Sequence, residues 1–111
     1  MSTLAEKMRK ARESIVPVGG FSFTILRPTD LDMMEFSKDR NPAGLIQFVV
    51  GWEGIKEMDL IPGGDGHPVP FDAEACAEWL ADRSDLFIPL VNSITDAYQA
   101  RQQALEEARK N

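Results

Sequence analysis

Residues 15–26 read Ile15-Val16-Pro17-Val18-Gly19-Gly20-Phe21-Ser22-Phe23-Thr24-Ile25-Leu26. Two runs rich in β-branched and aromatic residues flank a pair of glycines, and glycine supplies the positive φ that a two-residue hairpin turn demands. The stretch predicts a β-hairpin over 15–27. In its second strand Phe21, Phe23 and Ile25 alternate with Ser22 and Thr24, so one face is buried and the other wet. Pro17 has no N–H to give a ladder, which makes the first strand an edge, and Arg27-Pro28 ends the second.

Ahead of the hairpin, Thr3-Leu4-Ala5-Glu6 has capping-box spacing, so a helix begins near Thr3. Leu4, Met8, Ala11 and Ile15 recur every three or four residues and form one apolar stripe, with Lys7, Lys10 and Glu13 outside it. Behind the hairpin, Thr29 with Asp30 and Asp32 is an N-cap signal for a short helix to about Lys38, its inner side formed by Leu31, Met34 and Met33. Asn41-Pro42 starts another element. The run Leu45–Trp52 is apolar nearly all round, so periodicity leaves helix and strand both open; the start signal favours helix.

From Gly51 to Pro70 the chain holds five glycines and three prolines and is expected to form a loop with room for one short hairpin. Asp72 caps the next helix, which places Cys76, Trp79, Leu80 and Arg83 on one side, and Ser84-Asp85 breaks or bends it. Phe87, Leu90, Val91, Ile94, Tyr98 and Leu105 then follow at helical spacing. Pro89 must lie in the first turn of this last helix or kink it. A helix from about Leu86 to Arg109 is roughly 36 Å long, so its Gln- and Glu-rich end outreaches a small core. The expected fold is α+β: a mainly α-helical single domain (1–111) with an N-terminal amphipathic helix (1–14), the β-hairpin (15–27) and a helical part (28–111) that carries the Gly/Pro loop (51–70) and the long C-terminal helix.

Hydrophobic residues make up 43% and charged residues 27% of the 111, enough to bury a core. A formal net charge of −6 opposes binding to a phosphate backbone. The acid is concentrated: Glu57 to Asp85 holds eight acidic residues against Arg83 alone, whereas Lys7, Arg9, Lys10 and Arg12 outnumber Glu6 and Glu13. Such a field attracts a basic partner or a neighbouring subunit, or simply keeps the surface solvated. The single cysteine, Cys76, has no disulfide partner in the chain, and no apolar run reaches the length of a signal h-region or a membrane span. A cytoplasmic setting without membrane or nucleic-acid partners is expected.

Residues for chemistry are sparse. His67 is the only histidine, and with Asp65 it forms at most a weak metal contact in the Gly/Pro loop. Gly63-Gly64-Asp65-Gly66 lacks the Lys-Ser/Thr ending of a phosphate-cradling loop, and Asp59 and Asp65 lack the ligand pattern of a calcium loop. Cys76 lies among alanines as a small core filler, and Glu74 and Glu78 share an acidic helical face. The expectation is no catalysis, metal or cofactor. The surplus is apolar instead. Methionine adapts to irregular partners, so the candidate partner contacts are Leu4, Met8, Ala11, Ile15, Met33, Met34, Leu90, Val91, Ile94, Tyr98 and Leu105, with Trp52 and Trp79 as structural anchors.

The order of several short motifs resembles a known family. Phe48-Val49-Val50-Gly51-Trp52-Glu53-Gly54-Ile55, a Gly/Asp turn, Pro68-Val69-Pro70-Phe71-Asp72-Ala73-Glu74, a helix, and Asp85-Leu86-Phe87-Ile88-Pro89-Leu90 with Ile94-Thr95-Asp96-Ala97 are similar to the tail assembly chaperones of long, non-contractile-tailed bacteriophages. Phe23-Thr24-Ile25-Leu26-Arg27-Pro28-Thr29 resembles the strand-then-helix opening of that family, and the likeness spans about residues 20–98. It implies a non-enzymatic phage or prophage protein of the host bacterial cytoplasm. Such a protein coats the aggregation-prone tape measure protein and helps bring tail tube subunits around it; self-association is left open. A virion component such as a head-tail connector or completion protein is the alternative, and it would persist in mature particles. A small hydrolase or metal enzyme using Asp65 and His67 is a third.

Overall fold

The computed structural model describes residues 2–110. Met1 and Asn111, the outer bounds of the expected N-terminal helix and helical part, lie outside them. Helix α1 (Leu4–Lys10) starts where Thr3 Oγ1 accepts the Glu6 N–H at 3.1 Å. Its expected extension to residue 14 does not occur: Ala11 caps it, the Arg12 N–H returns to the Arg9 carbonyl, and strand β1 runs Glu13–Val18. Ile15 therefore belongs to a strand rather than to the helical stripe. A ladder to β2 (Phe21–Leu26) pairs residues 13–18, and this outweighs the three-and-four spacing that carried Ile15 into the helix.

The hairpin is as expected, with Val18 opposite Phe21 across Gly19 and Gly20, whose φ values of 60° and 84° are those of a two-residue turn with both centres left-handed. A third strand, β3 (Val49–Glu53), lies antiparallel on the other side of β2, giving the order β1-β2-β3 with Pro17 on an edge. This corrects the helical reading of Leu45–Trp52 over Val49–Trp52, while Leu45–Phe48 is helical. Asn41 does accept the Ala43 N–H at 3.1 Å, but it starts a short 3-10 helix, Pro42–Phe48, after which Val49, Gly51, Trp52 and Glu53 pair with the free edge of β2. A stretch apolar on all sides takes whichever backbone partner the rest of the fold offers.

Helix α2 (Asp30–Asp39) begins with a reciprocal capping box: Thr29 Oγ1 accepts the Asp32 N–H and Asp32 Oδ2 accepts the Thr29 N–H. The Gly/Pro stretch is pinned more firmly than a bare loop. It contains a single helical turn, α3 (Glu57–Leu60), and a bridge between Lys56 and Pro68, and the Trp52 indole donates to the Val69 carbonyl at 2.8 Å. Asp72 caps α4 (Ala73–Ala81) by accepting the Glu74 N–H, and α5 (Ser84–Lys110) follows after a break. Pro89 lies inside α5 beyond the first turn, so the Asp85 carbonyl has no N–H four residues on to receive.

The core joins the inner sheet face to α4, α5 and the 3-10 helix. Phe23, Ile25, Leu45, Ile55, Leu80, Leu86, Leu90 and Ile94 are fully enclosed, and Trp52 and Trp79 anchor an aromatic cluster with Phe21, Phe23 and Phe71. Helix α5 buries only Leu86, Leu90 and Ile94; residues 103–110 are exposed along their whole length. At 27 residues it is about 40 Å long. The radius of gyration is accordingly 15.6 Å, against about 13 Å for a compact chain of similar length. The fold is thus α+β and mainly helical, with the N-terminal hairpin widened to three strands and a projecting C-terminal helix.

One contact ties α2 to α5: Asp30 Oδ1 accepts from the Tyr98 hydroxyl at 2.9 Å and from Gln102 Nε2 at 2.7 Å. The Asp30 hydrogen bond, with desolvation and carboxylate charge adding to it, raises the Tyr98 pKa above its ordinary value of about 10. A raised folded-state phenol pKa adds stability that persists below the unfolded value and is lost as pH climbs through the folded one. Tyr98 is the only tyrosine, so ultraviolet titration reads it directly. Its midpoint is expected above that of the urea-unfolded chain, and Asp30→Ala should close the gap; an unmoved midpoint in that variant would rule the contact out.

Candidate partner-binding surface

The apolar residues singled out from sequence divide into two groups. Leu90 and Ile94, at 1% and 0% exposure, are core residues enclosed within the monomer, and Val91 is half-buried against that core. As α5 leaves the sheet its face turns from core to surface: Tyr98 is half-exposed and hydrogen-bonded to Asp30, while Leu105 stands clear. Leu90, Val91 and Ile94 are therefore corrected from contact stripe to core, while Tyr98 and Leu105 stay at the surface. The buried spacing of four residues, Leu86-Leu90-Ile94, ends where the domain ends.

The second group is in water. Leu4 and Met8 are 73% and 64% exposed, Ile15 69%, and Ala11 is exposed beside them; α1 buries no residue. On α2, Met33 is half-buried, whereas Met34 faces solvent together with Leu31, reversing the expectation that both point inward. Leu31 lies between Asp30 and Asp32, and acids on either side in the first turn were the available sign of a wet face. Met58, which belongs to the apolar surplus read from sequence, is exposed too, as are Ile61 and Ile88, which the sequence reading did not count among the contacts.

Two open grooves flank the domain. One, between α2 and the 3-10 helix, is about 610 Å³, with Asp32, Glu35 and Asp39 at its edge and Phe36, Leu45 and Phe48 beneath. The other, between α3 and α4, is about 750 Å³, with Leu60, Ile61 and Trp79 beneath and Asp59, Glu78 and Asp82 around it. Both are edged by acids, and only the second draws them from the acidic Glu57–Asp85 stretch.

No family model, curated protein or solved structure matches this chain. What the surface can do is read from its own side chains.

The residues considered for chemistry are dispersed. His67 Nδ1 lies 3.2 Å from Asp65 Oδ1, but the two side chains are 87% and 57% exposed on the outside of the loop. Among the described residues no three His, Cys, Asp or Glu side chains gather as a metal-binding group. Burial pushes the Cys76 thiol up to about 11, so the thiolate is scarce at neutral pH. Glu74 and Glu78 are exposed along α4. The glycine run has a packing origin: a Cβ on Gly64 would lie 2.8 Å from the Glu57 carbonyl, so glycine lets the loop close on α3. Among the described residues no helix is long and apolar enough to cross a membrane.

Proposed function

We propose that this chain is a non-enzymatic tail assembly chaperone of a long-tailed, non-contractile phage, acting in the host cytoplasm. On this reading it binds the tape measure protein, keeps it soluble, and yields it to tail tube subunits. One observation carries the reading: a small domain with a closed core keeps Leu4, Met8, Ile15, Leu31 and Met34 largely in water. Apolar surface of this kind hides a client's own apolar helix at about 25 cal/mol per Å² and gives it up when a better-fitting partner competes. The motif order around Phe48–Ile55 supports the family resemblance and has a clear structural role. Phe48, Val49, Trp52 and Ile55 are all buried, so that segment builds the third strand and core and leaves client contact to the exposed set.

Co-expression with the long, helix-rich protein encoded just downstream tests the proposal. That protein is expected to move from the pellet to the soluble fraction and to co-purify with the chain. Ile15→Glu/Met34→Glu should abolish the effect while changing folding stability by no more than about 0.5 kcal/mol, as for exposed positions generally. A client that stays insoluble beside the native chain, or is rescued equally by the double variant, would refute it. Purified virions analysed by mass spectrometry should lack the chain.

A further inference from the structure

We propose that this protein associates head to tail with itself, helix α1 of one copy seating in the groove between α3 and α4 of the next. The two surfaces are chemically complementary, and of the groove's rim acids only Asp59 is engaged within the chain, accepting the Lys56 N–H at 2.8 Å. Helix α1 presents Leu4, Met8 and Ala11 along one side, with Lys7 beside that stripe, Arg9 and Lys10 further round, and Glu6 as its only acid. No residue of it is buried. Its base is held by Arg12, whose N–H returns to the Arg9 carbonyl and whose guanidinium donates to the Arg27 carbonyl at 2.7 Å, so the helix is a fixed projection of the hairpin.

The groove has the opposite character. Leu60, Ile61 and Trp79 form an apolar floor in which Ile61 is 57% exposed, and Asp59, Glu78 and Asp82 supply a rim of negative charge. Its one base, Arg83, is occupied: both Asp85 oxygens accept from it at 2.9 Å, and its guanidinium carbon lies 5.8 Å from the Trp79 ring centroid. The groove beside α2 fits less well. Phe36, Leu45 and Phe48 beneath it include no exposed side chain to match Ile61, and Glu35 at its edge pairs with Lys38 at 3.4 Å. An amphipathic helix with basic flanks entering an apolar trough with acidic walls is a familiar recognition mode, in which charge sets orientation and burial sets affinity.

Helix and groove are different patches, so a pair of copies keeps one helix and one groove unused. The contact is heterologous and continues into open chains or a closed ring instead of stopping at a two-fold dimer. It draws Leu4 and Met8 of the exposed set into the self-contact, leaves Ile15, Leu31, Met34 and Leu105 for a client, and holds whatever that client is.

Sedimentation of the purified full-length chain at low salt tests this. The average mass is expected to climb past twice the monomer with concentration, and to fall back toward the monomer in roughly 1 M salt, where screening shortens to about 3 Å. Lys7→Glu/Lys10→Glu alone and Glu78→Lys/Asp82→Lys alone should each be monomeric, with circular dichroism like that of the native chain. Mixed in equal amounts they should associate again, because every acidic helix then meets a basic groove and every basic helix an acidic one. A native chain that is monomeric at all concentrations overturns the proposal, as do variants that associate alone as the native chain does, or a mixture that stays monomeric. None of these outcomes depends on the downstream client, so the co-expression result stands or falls separately.

Discussion

Phe23→Ala is expected to lower the unfolding free energy by about 3–5 kcal/mol, a large part of the roughly 5–15 kcal/mol that holds a domain together. Phe23 is completely enclosed on β2, the middle strand, with Val16 opposite it on one side and Trp52 on the other. Its ring lies 6.4 Å from that of Phe21 and 6.2 Å from that of Trp79 on α4, so one side chain joins the sheet to the helical layer. Truncation opens a cavity whose walls are two hydrogen-bonded ladders and a tryptophan, and walls of that kind relax little. Urea unfolding followed by tryptophan fluorescence should show a lower midpoint at unchanged slope. Ile15→Ala, one residue from Phe23's ladder partner Val16 but 69% exposed, should cost within about 0.5 kcal/mol. Equal losses in the two variants would mean the core is not built on the inner sheet face.

The contrast between Phe23 and Ile15 also marks what was legible in the sequence. Alternation fixed the inner face of β2, and the capping residues Thr3, Thr29, Asn41 and Asp72 each accept the N–H they were expected to accept, because these are local interactions. Ile15 and Val49–Trp52 were misassigned for a shared reason. Both took strand conformation because β2 needs a backbone partner along each edge, which is a tertiary demand that neither window contains. The partner surface was half legible. Amphipathic spacing found Leu4 and Met8 and also Leu90 and Ile94, yet spacing reports only that a stripe exists. Whether a core reaches it depends on how far the sheet and α4 extend beneath the helix, and that support ends after Ile94.

Gly19→Ala is expected to destabilise the chain by about 2–5 kcal/mol, and Gly20→Ala by only about 1–2 kcal/mol, although both glycines have positive φ in the same turn. The shared part is the left-handed backbone, which a Cβ disfavours by roughly 1–2 kcal/mol. The difference is Leu86. A Cβ at Gly20 meets nothing within 4 Å, whereas one at Gly19 runs into Leu86 Cδ2. Leu86 is itself 0% exposed in the first turn of α5, so its methyl cannot swing into solvent, and relief requires the turn to lift from the helix. Overpacking of this kind adds about 1–3 kcal/mol. A double-mutant cycle isolates the term: in a Leu86→Ala background the further loss on Gly19→Ala should shrink to that of Gly20→Ala. If the Gly19 penalty is unchanged there, the hairpin turn does not seat on α5. The glycine pair would then serve chain reversal alone.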